Sequence, residues 1–134
     1  MAHFPEHMLD LLSPGKKAIA NLALVLSDGT PQVSPLWFEY DGHDIIINTA
    51  RGRVKDKVLH KHPWVALSIA APENPYRYLL IRGPVVGETE EGGYEMICHL
   101  NAKYQGTRDF PKVPGQVRVT YRIRPDKVFA EKQS

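Results

Sequence analysis

AIANLALVLSDGTPQVSPLWFEYDGHDIIINT, residues 18–49, contains three apolar runs separated by two Asp-Gly pairs, Asp28-Gly29 and Asp41-Gly42. Asp-Gly between strand-like runs is a strong hairpin signal. Glycine tolerates the positive φ of a tight turn, and the Asp side chain bonds the backbone just beyond it. Residues 18–27, 32–40 and 44–49 therefore read as a three-stranded antiparallel meander. Downstream, residues 53–61 carry Val54, Val58 and Leu59 on one helical face, and Pro63 ends that helix. Residues 64–70 form a fourth strand and residues 76–82 a fifth, with Gly83-Pro84 marking a bend or bulge before residues 85–88. A second helix starts at Thr89 or Glu90 and carries Tyr94, Ile97, Leu100 and Tyr104 to Gln105-Gly106, although Gly92-Gly93 weakens its start. After a loop with Pro111 and Pro114, residues 117–124 alternate Val117, Val119, Tyr121 and Ile123 with Arg118, Thr120, Arg122 and Arg124. This pattern predicts a half-buried strand with one basic face. Residues 127–130 add a short strand before a loose tail, and residues 4–12 form a short docking helix behind Pro5. Six or seven antiparallel strands with three small helices make the chain mainly β, a closed or partly closed barrel, since closure removes edges that would pair with other chains.

The 134 residues, 43% of them hydrophobic and 24% charged, fit one globular domain over residues 1–134 with no linker or repeat. Seventeen Lys and Arg against fifteen Asp and Glu give a net charge of +2. The basic residues gather in 51–61 and at Arg118, Arg122 and Arg124 rather than in a stripe, and no aromatic platform is interleaved with them. This pattern favours a local anionic ligand over nucleic acid. No signal-peptide pattern is present, no apolar run approaches the roughly 20 residues that span a bilayer, and one cysteine forms no internal disulfide. The expectation is a cytoplasmic protein without a membrane partner.

Chemistry concentrates in residues 48–61, NTARGRVKDKVLHK, which follow the apolar Ile45-Ile46-Ile47. Asn48 and Thr49 offer side-chain donors at a strand end, Gly52 permits close backbone approach, and Arg51, Arg53 and Lys55 surround a helix start. That combination suits a phosphate, while the plainer reading is a solvated basic turn. It is not a Walker loop, and no dinucleotide-binding glycine pattern follows any strand. Cys98, between Ile97 and His99 in a helix, reads as a small buried hydrophobe. His60 and His62, two apart on a helix, would point in different directions, so no metal site is expected. Trp37 and Phe38 are consistent with core packing or with stacking on a ring, and Tyr76 and Tyr78 share one strand face. No residue stands out as a catalytic acid or base.

The order of motifs DGTPQVSPLWF (28–38), NTARGRVK (48–55), PWVAL (63–67), NPYRY (74–78) and Arg82-Gly83 resembles the pyridoxamine 5'-phosphate oxidase-like split-barrel flavoproteins, and among them the branch that uses the deazaflavin coenzyme F420. The resemblance covers about residues 5–130. It implies a homodimer with cofactor sites at the subunit interface and an F420-dependent oxidoreductase that transfers a hydride between reduced deazaflavin and a small organic substrate. By matching position it implies that Arg53 and Lys55 hold the cofactor phosphate with Asn48 and Thr49, with Arg51 and Arg118 as further basic contacts. Ser34, Pro35, Leu36 and Trp37 would run beside the ring, and Tyr76 and Tyr78 would reach it from the other subunit. The family's namesake oxidases carry a longer, basic C-terminal segment for their substrate. This sequence has Phe129-Ala130-Glu131-Lys132-Gln133-Ser134 there, so vitamin B6 oxidation is not expected. Two alternatives stand beside the first reading: FMN in place of F420, and a binding protein that holds a flavin or tetrapyrrole without turnover.

Overall fold

The computed structural model describes residues 3–132. Eight antiparallel strands are ordered β2-β1-β5-β6-β7-β4-β3, with β8 paired to β6. They are β1 (Ala20–Val25), β2 (Pro31–Leu36), β3 (Glu39–Tyr40), β4 (Ile45–Ala50), β5 (Trp64–Ala71), β6 (Asn74–Thr89), β7 (Arg118–Ile123) and β8 (Lys127–Lys132). Helices α1 (Val54–Leu59) and α2 (Gly93–Gln105) lie outside the sheet, and the amino-terminal helix, Glu6–Leu12, is of the tighter 3-10 type. It buries Met8, Leu11 and Leu12 in the core, each contributing about 1.5–3 kcal/mol. The architecture is a split β-barrel.

Both Asp-Gly turns form as their chemistry dictates. Gly29 and Gly42 have φ of 86° and 92°; Asp28 Oδ1 accepts from the Thr30 N–H at 3.0 Å, and Asp41 Oδ1 accepts from the Asp44 N–H at 2.7 Å. The expected three-stranded meander does not form. Residues 31–40 split into β2, paired only with β1, and β3, paired only with β4, so these strands sit at opposite ends of the strand order. Trp37 and Phe38 join them, so the chain itself links the two ends where no backbone ladder does.

The two expected strands around Gly83-Pro84 are one sixteen-residue strand that changes partners. Up to Pro84, β6 bonds β5, with β8 on its other side from Arg77 to Arg82; from Val85 onward it bonds β7. Gly83 makes the crossing possible, because a Cβ there would lie 1.7 Å from the Arg124 carbonyl oxygen. The carboxy-terminal tail is less loose than expected, since β8 continues to Lys132; residues 133–134 lie outside the described residues. Among the described residues no helix is long and apolar enough to cross a membrane.

Candidate functional site

Strand alternation sorts the residues of the 48–55 stretch onto two sides. Opposite β4 residues on β7 share a face, which places Ile45, Ile47 and Thr49 with Val119, Tyr121 and Ile123 toward the core and Asn48 with Thr120 on the outer face. Thr49, expected from sequence as a side-chain donor at the strand end, is 2% exposed on the core face. Arg51 continues on the Tyr121 side. Its guanidinium donates to Asp56 Oδ1 at 2.9 Å, to Glu90 at 2.8 Å and to the Tyr121 hydroxyl at 3.1 Å, and lies 2.8 Å from Glu88. Glu90 leads the groups that raise its pKa. Arg51, expected from sequence as a further basic contact, is thus ion-paired with three carboxylates, Asp56, Glu88 and Glu90.

Asp56, unremarked in the sequence, anchors this side. Its Oδ2 accepts from the Gly52 N–H at 2.9 Å and its Oδ1 from Tyr121 at 2.6 Å, and it is buried. Gly52 itself has a φ of 94°, so it turns the chain, but its N–H is taken. Glu88 joins the cluster through His60 Nδ1 and His62 Nε2, both at 2.9 Å. The two imidazoles were expected to diverge. They converge because α1 ends at Leu59 and His62 adopts a left-handed φ of 52°.

Burial alone would raise the Glu88 pKa, but hydrogen bonds from His60, Arg51 and His62 hold it at about 2, against an ordinary value of 4.5. A depressed carboxylate stabilises the fold above its unfolded pKa and loses that contribution as pH falls through its folded pKa. The stability gap between the parent and a Glu88→Gln variant is therefore expected to close as pH falls from 4.5 to about 2, read as thermal midpoints along a pH series. A gap that stays constant over that window would remove Glu88 from the account.

Arg53, Lys55 and Arg118 occupy the other side. Arg118 opens β7 at 8% exposure; its Nε donates to Asn48 Oδ1 at 2.9 Å, and its guanidinium lies 5.4 Å from the centre of the Phe110 ring. Asn48 uses its amide nitrogen on the Gly93 carbonyl at 2.9 Å and on Thr120 Oγ1 at 3.1 Å. It therefore orients Arg118 and is not a free donor at the strand end.

The half-buried basic face expected of residues 117–124 is also altered. α2 covers Arg118 and Thr120, and only Arg122 on β7 remains exposed. Gly93 allows this cover, since a Cβ there would meet the Arg118 carbonyl oxygen at 2.2 Å. The weak helix start seen in the sequence is thus the condition for α2 to approach the site.

Burial lowers the pKa of Lys55, and Arg53 and Arg118 push it the same way; burial and Arg53 likewise lower that of Arg118. No carboxylate among the described residues forms an ion pair with any of the three. Three close cations, two of them held at a desolvation cost and one fixed by Asn48, fit a dianionic or diester phosphate. An open depression of about 500 Å³, lined by Tyr94, Cys98, Arg108 and Phe110 among others, adjoins this cluster through Phe110.

The remaining expected residues lie elsewhere in the chain. Ser34 and Leu36 are half-buried and Pro35 is exposed on β2, the last strand of its sheet. Trp37 is half-buried and stacks on Tyr104, with ring centres 5.3 Å apart and planes at 8°. Phe38 is fully buried core. Tyr76 and Tyr78 lie in the part of β6 bordered by β5 and β8, away from the β4–β7 half that carries the cations. One chain therefore does not bring the tyrosines to the basic cluster.

The split barrel thus carries three cations without a carboxylate ion-pair partner among the described residues, at the start of α1 and on β7 beneath α2. The sequence profile described as pyridoxamine 5'-phosphate oxidase matches residues 4–131, and the chain belongs to that family. A solved structure titled F420 reductase is similar at 33% identity and a TM-score of 0.82, over 94% of this chain and 98% of that one. Two further structures share the fold. The Group A Streptococcus HupZ has 19% identity and a TM-score of 0.66 over 96% and 94% of the chains. PhzG from Burkholderia lata, in complex with tetrahydrophenazine-1-carboxylic acid, has 18% identity and a TM-score of 0.61 over 91% and 73%. No curated protein matches. The family and the first of these neighbours point to an oxidoreductase.

Proposed function

We propose that the chain is an F420-dependent oxidoreductase acting on a small organic substrate as a cytoplasmic homodimer. The observation that carries this reading is the convergence of Arg53, Lys55 and Arg118, without a carboxylate partner among the described residues, beside the oriented Asn48 carboxamide. In this reading the three cations hold the cofactor phosphate, and Ser34, Pro35, Leu36 and Trp37 run beside the ring. Tyr76 and Tyr78 belong to the site through a second copy. The 33% identity to a protein titled F420 reductase favours the deazaflavin over FMN, since the phosphate cluster suits either.

The homodimer has its own physical support. Strand register puts Val33, Trp64, Leu80 and Phe129 on one outer sheet face, where all four are exposed, Val33 by 66%. An outer face with four exposed apolar side chains, interrupted by Asn21, Ser68 and Arg82, is a natural cover for a second copy. When bound, the deazaflavin supplies the hydride chemistry. The chain holds the phosphate, orients the ring against Trp37 and excludes water between two copies, and such positioning can remove roughly 7–11 kcal/mol of barrier.

The test is a parallel fluorescence and equilibrium-dialysis titration with F420 and FMN, with the mass measured by light scattering. Tighter binding of F420 to a dimer is the expected result. Preference for FMN would reassign the cofactor, and binding of neither would overturn the reading.

A further inference from the structure

Lys103 is the buried charge that the phosphate cluster and the barrel core leave unexplained. It lies in the last turn of α2 at 9% exposure, a position where a lysine is ordinarily a solvated cation completing the helix end. Its Nζ donates to the Phe38 carbonyl oxygen at 2.6 Å and sits 4.2 Å from the centre of the Phe38 ring and 4.8 Å from that of Tyr104. The carboxylate whose charge it feels is Glu39, which is itself paired with His99.

The neighbouring residue grips the same place. The Tyr104 hydroxyl donates to the Ala18 carbonyl oxygen at 2.5 Å and accepts from the Phe38 N–H at 3.4 Å, while its ring stacks on Trp37. Both α2 residues thus act on the two-residue crossing where the chain leaves β2 and enters β3 without strand partners. A charged donor is a costly way to fill a buried position, whereas a methionine would fill it without a desolvation penalty. What the ammonium adds is a strong directed bond to one carbonyl, with two aromatic faces to hold it.

We propose that Lys103 is a positioning residue for the ring-binding segment: through the Phe38 carbonyl it locks the Trp37–Phe38 crossing, so that Trp37 stays stacked on Tyr104 and β2 presents a fixed edge to the flat ring of the cofactor. The proposal rests on the cofactor reading above for its ligand and on the contacts of Lys103 for its mechanism.

The test compares Lys103→Met and Lys103→Arg with the parent in a Trp64→Phe background, which leaves Trp37 as the single tryptophan. Acrylamide quenching of Trp37 without ligand reports on the crossing. Affinities for F420 and FMN, measured with Trp64 intact, report on ring binding, and affinity for inorganic phosphate, measured likewise, reports on the basic cluster. Lys103→Met is expected to increase Trp37 quenching and weaken the preferred ring ligand roughly tenfold through lost preorganisation. Phosphate affinity should stay at the parent value, and Lys103→Arg should recover part of both losses. Parent-like quenching and ring affinity in Lys103→Met would overturn the proposal, as would an equal loss of ring and phosphate affinity, which would mark a general structural role. Failure of the protein with Trp64 intact to bind either ring ligand would overturn the cofactor reading instead, and the quenching comparison would still decide whether Lys103 holds Trp37.

Discussion

The Arg53→Ala/Lys55→Ala double variant is expected to lose nearly all affinity for the phosphate-bearing cofactor while becoming, if anything, more stable without it. Each charge-assisted hydrogen bond to a phosphate contributes about 1.5–3 kcal/mol, so losing two weakens binding by about 3–6 kcal/mol, or roughly two to four orders of magnitude in Kd. The stability expectation has the opposite sign. Burial, Arg53 and Arg118 all disfavour the Lys55 ammonium in the unliganded fold, and burial and Arg53 do the same to Arg118.

A cation with a lowered folded pKa destabilises the fold at pH values where it is protonated. The penalty is fully present below the folded pKa and fades as pH rises toward the unfolded one. Removing two of the three repelling charges should therefore leave the thermal midpoint unchanged or raised at neutral pH. Unchanged cofactor affinity would sink the phosphate assignment. A clear loss of stability would show that these cations have partners beyond those described here.

Gly83→Ala is the second large effect, and it falls on the fold rather than the site. The added methyl would lie 1.7 Å from the Arg124 carbonyl oxygen and 3.1 Å from the Asp126 nitrogen, both of them backbone atoms. Neighbouring hydrogen bonds fix that corner: Arg124 N–H donates to Pro84 at 3.0 Å and Asp126 N–H to Arg82 at 3.1 Å. Relieving the overlap means separating β6 from the β7–β8 connection. An expected cost of about 3 kcal/mol or more would lower the thermal midpoint by roughly 10 °C or prevent soluble folding. Gly87→Ala is the control on the same strand, because its methyl would meet only the Arg122 side chain at 3.8 Å. Equal behaviour of the two variants would contradict the close crossing.

The turns, the strand content and the position of the basic stretch were legible in the sequence because each rests on local chemistry, whereas the split form of the barrel was implied only by the family resemblance of the ordered motifs. Asp28-Gly29 and Asp41-Gly42 need only their own residues to turn the chain. The break at Trp37–Phe38 was not legible, since β2 and β3 continue one apolar run and nothing local says that they join different sheet halves. Strand parity, itself legible in the sequence, turns adjacent Asn48 and Thr49 to opposite faces. The separation of Arg51 from Arg53 was less accessible, because it depends on Glu88 and Glu90 arriving from a distant strand. Lys103 and Phe110 carried no pattern at all, and only packing against Phe38 and Arg118 gives them roles.

β6 is hydrogen-bonded to β5 and β8 up to Pro84 and to β7 from Val85, so one continuous strand joins the two halves of the barrel. The two sheets are therefore expected to open as one cooperative unit in hydrogen exchange, with the amides of β6 expected among the slowest of the described residues. The basic cluster on the β4–β7 half thereby gains rigidity from β1, β5 and β8, strands that contribute none of its residues. In the proposed reading, the preorganisation of the cluster toward an anion would be a property of the whole barrel.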